Sequence, residues 1–309
     1  MSVHQHVDLE SFRPRLFGIA YRMLGTVEDA EDLVQETFLR WQKSATDGIV
    51  EPEGWLVSVI TRLAIDRLRV AIRDRARYAG PYLPEPIADQ RFLAQAAPSD
   101  SPDHKAELAS ELSMAFLVLL ERLAPEERAA FLLRDVFGAE YSEIARVLDR
   151  SEAATRQVIH RARERVRVDR TRFSVPADAK GKLLSRFLAA LEADDPEAML
   201  AVVAPEMTLT SDGGGKVSAA RRVVQGAERV LRMLLSLERK YGRPFTYRIA
   251  QVNAEPAILQ TVHGALFSVT FMETDGERIV ALYRVMNPDK LRRVAADLGL
   301  TVFADAAPQ

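Results

Sequence analysis

The 309-residue chain contains no cysteine. That absence excludes disulfide bridges, thiolate metal ligands and a cysteine nucleophile, and it suits a reducing compartment. Long apolar runs are missing too: no stretch reaches the ~18 residues a membrane-spanning helix needs. The first residues, MSVHQHVDLESFRPRLFG, put acids and histidines where a secretory signal has a basic end and an apolar stretch. Net charge is also nearly absent, with 42 Lys+Arg against 44 Asp+Glu. What is present is ordinary for globular protein: 48% hydrophobic and 28% charged residues exclude wholesale disorder. The length suggests about two domains. The expectation is a soluble, cytoplasmic, multidomain protein with no membrane association.

The near-zero total hides an uneven distribution. Arg150, Arg156, Arg161, Arg163, Arg165, Arg167, Arg170 and Arg172 face only Glu152, Glu164 and Asp169 in the same segment. Local phosphate neutralisation, rather than global charge, gives nucleic-acid affinity. A solvated helix face would carry the same charges, and charge alone leaves both readings open. Acids gather instead at Glu28, Asp29, Glu31, Asp32 and Glu36.

Leu9, Phe12, Leu16, Ile19, Ala20 and Met23 recur at helical spacing, and Gly25 ends that helix. Thr26 can cap the next, with Leu33, Val34, Thr37, Phe38 and Trp41 as its buried stripe. Ser44–Glu51 is a polar loop; Pro52 opens a long helix through Trp55, Val59, Leu63, Asp66 and Val70. Then 81–102 is proline-rich yet carries Tyr82, Leu83, Ile87, Phe92 and Leu93, which a free spacer does not need. Part of it is expected to dock on a surface. A second helical unit follows, with Ser101–Pro102 as cap and first turn, Pro125 restarting a helix and Gly138 ending it. YSEIARVLDRSEAATRQVIHRARERVR reads as helix, tight turn at Asp149–Arg150, and a Ser151-capped helix. The last third changes character. Short helices at 180–193, 197–203 and 227–241 precede alternating runs FTYRIAQVN, AILQTV, ALFSVTFME and RIVALYRVMN. This predicts an α+β domain with a curved antiparallel sheet.

With these motifs in view, the first two units resemble the extracytoplasmic-function (ECF) sigma factors of bacterial RNA polymerase. The carrying segments are DAEDLVQETFLRW (29–41), WLVSVITRLAIDRLR (55–69) and the helix-turn-helix ending HRARERV (160–166). YLPEP (82–86), DGGGK (212–216) and NPDKL (287–291) resemble the subgroup with a C-terminal SnoaL-like domain. The resemblance implies two all-α domains, the second with a helix-turn-helix, followed by a cone-shaped α+β domain. The implied boundaries are 1–80 for region 2, 81–102 for the linker, 103–173 for region 4 and 178–309 for a regulatory domain.

The same resemblance implies two partners, core RNA polymerase and promoter DNA. Glu28, Asp29, Asp32, Leu33, Glu36 and Phe38 would meet the polymerase, with the two apolar residues split between core and interface. Arg62, Arg69 and Arg73 would hold the −10 strand. Recognition-helix residues Ser151, Glu152, Thr155, Arg156 and Gln157 would face −35 base edges, where Arg156 can pair with guanine or clamp a phosphate and Gln157 can read adenine. His160, Arg161 and Arg163, further along, would hold phosphates. A contact in cis would join Tyr82, Leu83 and Glu85 to Asp212, Gly213, Gly214, Gly215 and Lys216, and to Asn287, Asp289 and Lys290.

The C-terminal domain also raises an enzyme alternative: a helix-turn-helix regulator fused to a SnoaL-like isomerase or cyclase. Asp212, His263, Asp275 and Asp297 are the candidate proton-transfer groups. DGGGK lacks the spacing and following Ser/Thr of a phosphate-binding loop, and its glycines suit a tight turn or close backbone approach. The expectation is a promoter-specificity subunit rather than an enzyme, with no cofactor and no metal site. An unidentified small ligand in the SnoaL-like domain stays open.

Overall fold

The computed structural model describes residues 8–44, 49, 51–88, 111–170, 175, 177–240 and 245–303. Most of the 44–51 loop, linker residues 89–102 and the Ser101–Pro102 cap lie outside the described residues. Two compact units hold the rest: 8–74 with 119–168, and 75–88 with 111–118 and the C-terminal residues from 175.

The first unit is all helical. Helices α1 (Arg13–Leu24), α2 (Val27–Lys43) and α3 (Pro52–Arg75) bury the stripes that the spacing predicts, including Leu16, Ile19, Met23, Val34, Phe38, Ile60 and Leu68. Gly25 ends α1 in the left-handed conformation, at φ +74°. Helix α4 (Met114–Leu120) runs into this unit, followed by α5 (Pro125–Phe131). A π-helical turn, Leu132–Val136, comes next. Helix α6 (Tyr141–Leu148) stops at Asp149, φ +52°, and α7 (Glu152–Arg170) begins after Ser151, whose hydroxyl accepts from the Ala154 N–H at 3.2 Å. Ile144, Ala145, Val158, Ile159 and Ala162 close the helix-turn-helix core.

The second unit is α+β. Its helices are α8 (Ala177–Glu192), α9 (Pro196–Ala201), α10 (Ala227–Lys240) and α11 (Pro288–Asp297). Its strands are β1 (Val203–Asp212), β2 (Val224–Gln225), β3 (Phe245–Val252), β4 (Glu255–Val262), β5 (Ala265–Thr274), β6 (Ile279–Val285) and β7 (Thr301–Val302). The order is β2-β1-β6-β5-β4-β3, with β7 on β5. The predicted antiparallel meander is β3 to β6, but the whole sheet is mixed: β1 runs parallel to β6, and β7 parallel to β5. Both parallel pairs join strands separated by a helix, which a hairpin cannot do. Register breaks within β1·β6, β4·β5 and β5·β6 bend the sheet.

Both faces of the sheet are covered. Leu184, Phe187, Leu231 and Leu234 from α8 and α10 meet Ile258, Met272 and Leu282 on one face. On the other, Leu83 of the linker and Met114 join Leu291 and Val294 of α11 against Leu259, Val269 and Phe271. Double coverage is why β4 and β5 are buried almost continuously. The docking surface that the linker's apolar residues called for is therefore the sheet itself.

Candidate functional site

Helix α2 carries the acidic candidates. Glu28 and Asp32 are exposed and Glu36 is half-buried, whereas Leu33 and Phe38 are both buried in the core. Asp29 is not free for a partner. It accepts from Arg67 Nη2 at 2.6 Å and from the Thr26 hydroxyl at 2.6 Å, tying α2 to α3 at its first turn.

Of the α3 cations, Arg62 and Arg69 are engaged within the first unit. Arg62 donates from Nε to the Val147 carbonyl at 3.0 Å and from Nη2 to the Arg146 carbonyl at 2.6 Å. Arg69 pairs with Asp66 at 2.7 Å and with Glu126. Arg73 donates to the Arg69 carbonyl and is exposed.

On the recognition helix, Ser151, Glu152, Arg156, Gln157, His160 and Arg161 are exposed, as base or phosphate contacts require. Thr155 turns inward instead: it is fully buried, and its hydroxyl donates to the Ser151 carbonyl at 3.0 Å. It holds the helix start rather than reading a base. Arg163 makes a forked pair with Asp135 of the π-helical turn, at 3.1 Å from Nε and 2.7 Å from Nη2. That geometry braces the recognition helix. Arg156 lies over the Tyr141 ring at 4.9 Å and pairs with Glu152 in an exposed contact.

The cis contact is the most heavily bonded of the candidate sites. Asp212 ends β1 with no exposure at all. Its carboxylate accepts from the Tyr78 hydroxyl at 2.6 Å, the Leu83 N–H at 2.9 Å, the Gly214 N–H at 3.0 Å and Lys290 Nζ at 2.7 Å. Lys290 also donates to the Leu83 carbonyl, and its ammonium lies 3.4 Å from the centre of the Tyr82 ring. Asn287 donates to the Tyr78 hydroxyl at 2.9 Å and caps α11. Burial, then the neighbouring carboxylate, pushes the Tyr78 hydroxyl far above its ordinary value, so it stays a donor to Asp212. Lys216 pairs with Asp289 outside this cluster, and Glu85 is half-buried.

The glycines make this approach possible. Gly214 sits at φ +60°, and a Cβ there would overlap the Asn287 amide. One at Gly213 would lie 2.8 Å from the Val217 carbonyl, and one at Gly215 2.9 Å from the Ala79 methyl. Nearby, Asn253 exchanges two hydrogen bonds with Ile87 and donates to the Leu112 carbonyl, and the buried Glu255 accepts from the Met114 N–H at 2.7 Å. Both the segment entering 89–110 and the one leaving it are thus fastened to the C-terminal unit.

The proton-transfer candidates do not converge. Asp212 is spent in the clasp, while His263, Asp275 and Asp297 are exposed on two turns and a helix end. Backbone N–H groups of Arg278 and Glu277 hold Asp275 below the usual carboxylate range, as befits a turn. Among the described residues no His, Asp and Glu side chains are grouped as a metal site, and no helix is long and apolar enough to cross a membrane.

Comparison with known proteins decides the family. Residues 9–74 match the family described as Sigma-70 region 2, and residues 113–166 match Sigma-70, region 4. The chain is 37% identical over 295 residues to the ECF RNA polymerase sigma factor SigJ of Mycobacterium tuberculosis, covering 92% of each. This chain belongs to the ECF sigma factors. The crystal structure of SigJ matches it with a TM-score of 0.73 at 34% identity, over 92% of this chain and 97% of that one. Another Mycobacterium tuberculosis protein, named "Probable ECF RNA polymerase sigma factor SigI", is 31% identical over 303 residues, covering 97% of this chain and 99% of its own length. Sequence reasoning about this sigma factor missed Tyr78, Asn253 and Glu255. Asn253 did stand out as a turn residue, and its φ of +54° explains the choice of asparagine there. Tyr78 and Glu255 had no local signal, because their partners lie more than a hundred residues away.

Proposed function

We propose that this ECF sigma factor works in the cytoplasm as the promoter-specificity subunit of core RNA polymerase, tuned in cis by its SnoaL-like domain. Region 2 (1–80) would meet the polymerase through Glu28, Asp32 and Glu36 and hold the −10 strand with Arg62, Arg69 and Arg73. Region 4 (103–173) would read the −35 duplex with Arg156 and Gln157, aided by Ser151, Glu152, His160 and Arg161. The regulatory domain (178–309) grips the linker, and through it governs how region 4 is presented.

The observation that carries the regulatory part is the Asp212 clasp. One buried carboxylate binds the linker backbone at Leu83 and the α11 ammonium of Lys290 together. Weakening the clasp should change promoter output without touching a DNA-facing residue. The test is transcription from a cognate promoter with purified core polymerase, comparing the full chain with Asp212→Asn and with Tyr82→Ala. Both variants should shift transcript yield in the same direction, and the double variant should be less than additive. Fully additive effects would refute a shared contact. An enzyme fused to a DNA-binding module predicts instead that core polymerase forms no stable complex with the chain.

A further inference from the structure

Strand β6 breaks the rule of its own alternation. Leu282 points at the helix-covered face of the sheet and is buried there. Two residues on along the same face stands Arg284, a charge where that face calls for an apolar side chain, and it is only 3% exposed. The register builds two neighbouring rungs around it. Tyr247, Gln260 and Ser268 lie across β3, β4 and β5, and Ile258, Thr270 and Arg284 across β4, β5 and β6. Arg284 donates from Nε to the Ser268 hydroxyl at 3.2 Å and from Nη2 to the Gln260 amide oxygen. Ser268 donates to that same oxygen at 3.0 Å. The Gln260 amide nitrogen is thereby turned toward β3, where it donates to the Tyr247 hydroxyl at 3.1 Å.

A cavity of about 20 Å³ adjoins this network. Arg284, Gln260, Thr270 and Tyr247 line it from the sheet, and Phe187 of α8 and Leu234 of α10 line it from the helices. The volume suits one particle about the size of a water molecule. We propose that it is a binding site for a small monovalent anion: a free halide, or the carboxylate of a small apolar acid. A guanidinium keeps its charge at every physiological pH, and in apolar surroundings that charge acts with little screening. It favours an anion over water. The Thr270 and Tyr247 hydroxyls add donors suited to a negative charge, and bonds to an ionised group are the stronger kind. Size and the apolar side chains of the helices exclude phosphate and sulfate, whose second charge would lose its hydration against Phe187 and Leu234. The site lies wholly inside the C-terminal unit and is independent of the promoter-reading assignments.

The test uses the full chain in methanesulfonate buffer, an anion too bulky for the cavity, with bromide exchanged in at constant ionic strength. The melting temperature of the C-terminal unit should climb with the logarithm of bromide concentration once the site begins to fill. Arg284→Met, close in length but uncharged, should erase that dependence. Tyr247→Phe, at a half-buried position, should raise the bromide dissociation constant at least about tenfold and carries the comparison if Arg284→Met fails to fold. Crystals grown in bromide should give an anomalous peak beside the Arg284 guanidinium. Formate and hexanoate separate the sources. Stronger stabilisation by hexanoate than by formate or bromide identifies the carboxylate of an apolar acid, whereas a response to bromide and formate alone identifies a small free ion. Each result supports the site. Equal bromide shifts in the wild-type protein and both variants, an anomalous peak only elsewhere, or no response to any of the three anions overturns it.

Discussion

Lys290 Nζ lies 2.7 Å from Asp212 Oδ2, and the two side chains are 9% and 0% exposed. An ion pair this deeply buried is costly to break from one side, because the surviving charge stays desolvated. The pair joins the end of β1 to the first turn of α11, and both partners reach the linker at Leu83.

Asp212→Asn should therefore destabilise the C-terminal unit by about 3 kcal/mol, by stranding the Lys290 ammonium. Lys290→Met alone should cost a similar amount. The double variant should recover part of the loss, giving a coupling of at least about 1 kcal/mol in a double-mutant cycle. Denaturant unfolding followed by a C-terminal-unit probe measures it. Limited proteolysis should show faster cleavage near 75–88 in the single variants. Strictly additive costs would mean that the pair is not the link.

The second prediction concerns pH. Burial pushes the Glu255 carboxyl from 4.5 up to about 7, while the Lys180 ammonium at 3.8 Å and the Met114 N–H pull it back and Glu273 adds to the rise. The folded unit thus prefers Glu255 protonated, and the unfolded chain releases that proton near 4.5. The stabilisation is fully present below about 4.5 and is lost as pH climbs through about 7. Relative to Glu255→Gln, the wild-type protein should lose roughly 2–3 kcal/mol of unfolding free energy between pH 5 and pH 8. Comparing the two proteins cancels the titrating groups that do not interact with Glu255. Parallel stability curves would rule out Glu255 as the source.

Much of this was legible in the sequence, for local reasons. The helices of the first unit follow from apolar stripes closed by Gly25 and Asp149, and the recognition helix from Ser151 and the arginines after it. The linker's apolar residues announced a docking surface, and Leu83 is fully buried. β1 went unread, although Met207 and Leu209 alternate inward with Thr208 and Thr210 between them. The helix assigned to 197–203 extended into its start, and the parallel partner β6 lies far along the chain. Helix α11 was also missed, although Asn287-Pro288 is a cap followed by a first-turn proline. The roles of Asp29, Thr155 and Arg163 were hidden for a different reason. Charge and spacing identify a carboxylate, a hydroxyl or a cation, but only the fold shows that Arg67, the Ser151 carbonyl and Asp135 already engage Asp29, Thr155 and Arg163.

Those placements sharpen the polymerase test. Glu28 and Asp32 are exposed on α2, whereas Asp29 secures Arg67 and Thr26. Reversing Glu28 and Asp32 to Lys should abolish co-purification with core polymerase, through lost attraction and new repulsion at a basic partner. The melting temperature should move by less than about 2 °C, since neither side chain is buried. Asp29→Lys should instead lower it clearly, by breaking the tie between α2 and α3. Normal co-purification of a folded Glu28→Lys/Asp32→Lys protein would place the polymerase interface elsewhere.

The recognition helix separates reading from bracing. Arg156 is exposed, and its pair with Glu152 is a surface contact worth little, so DNA can take the guanidinium at small cost. Arg156→Ala should leave stability almost unchanged while relaxing discrimination at one −35 position by about 1–3 kcal/mol. Arg163 behaves differently because both of its bonded nitrogens meet Asp135, whose side chain is only 11% exposed. Arg163→Ala should cost about 1–2 kcal/mol of region 4 stability by leaving that carboxylate unpaired. Its effect on DNA binding should be uniform across sequences, and Asp135→Asn should reproduce much of the stability loss. Arg161, exposed on the same helix, is the better phosphate contact; Arg161→Ala should shallow the salt dependence of binding by about one unit of slope. Binding titrations on a panel of single-base −35 variants at several salt concentrations, paired with thermal melts, distinguish the three. If Arg156→Ala left every base preference intact while Arg163→Ala changed one, the roles assigned to these two arginines would have to be exchanged.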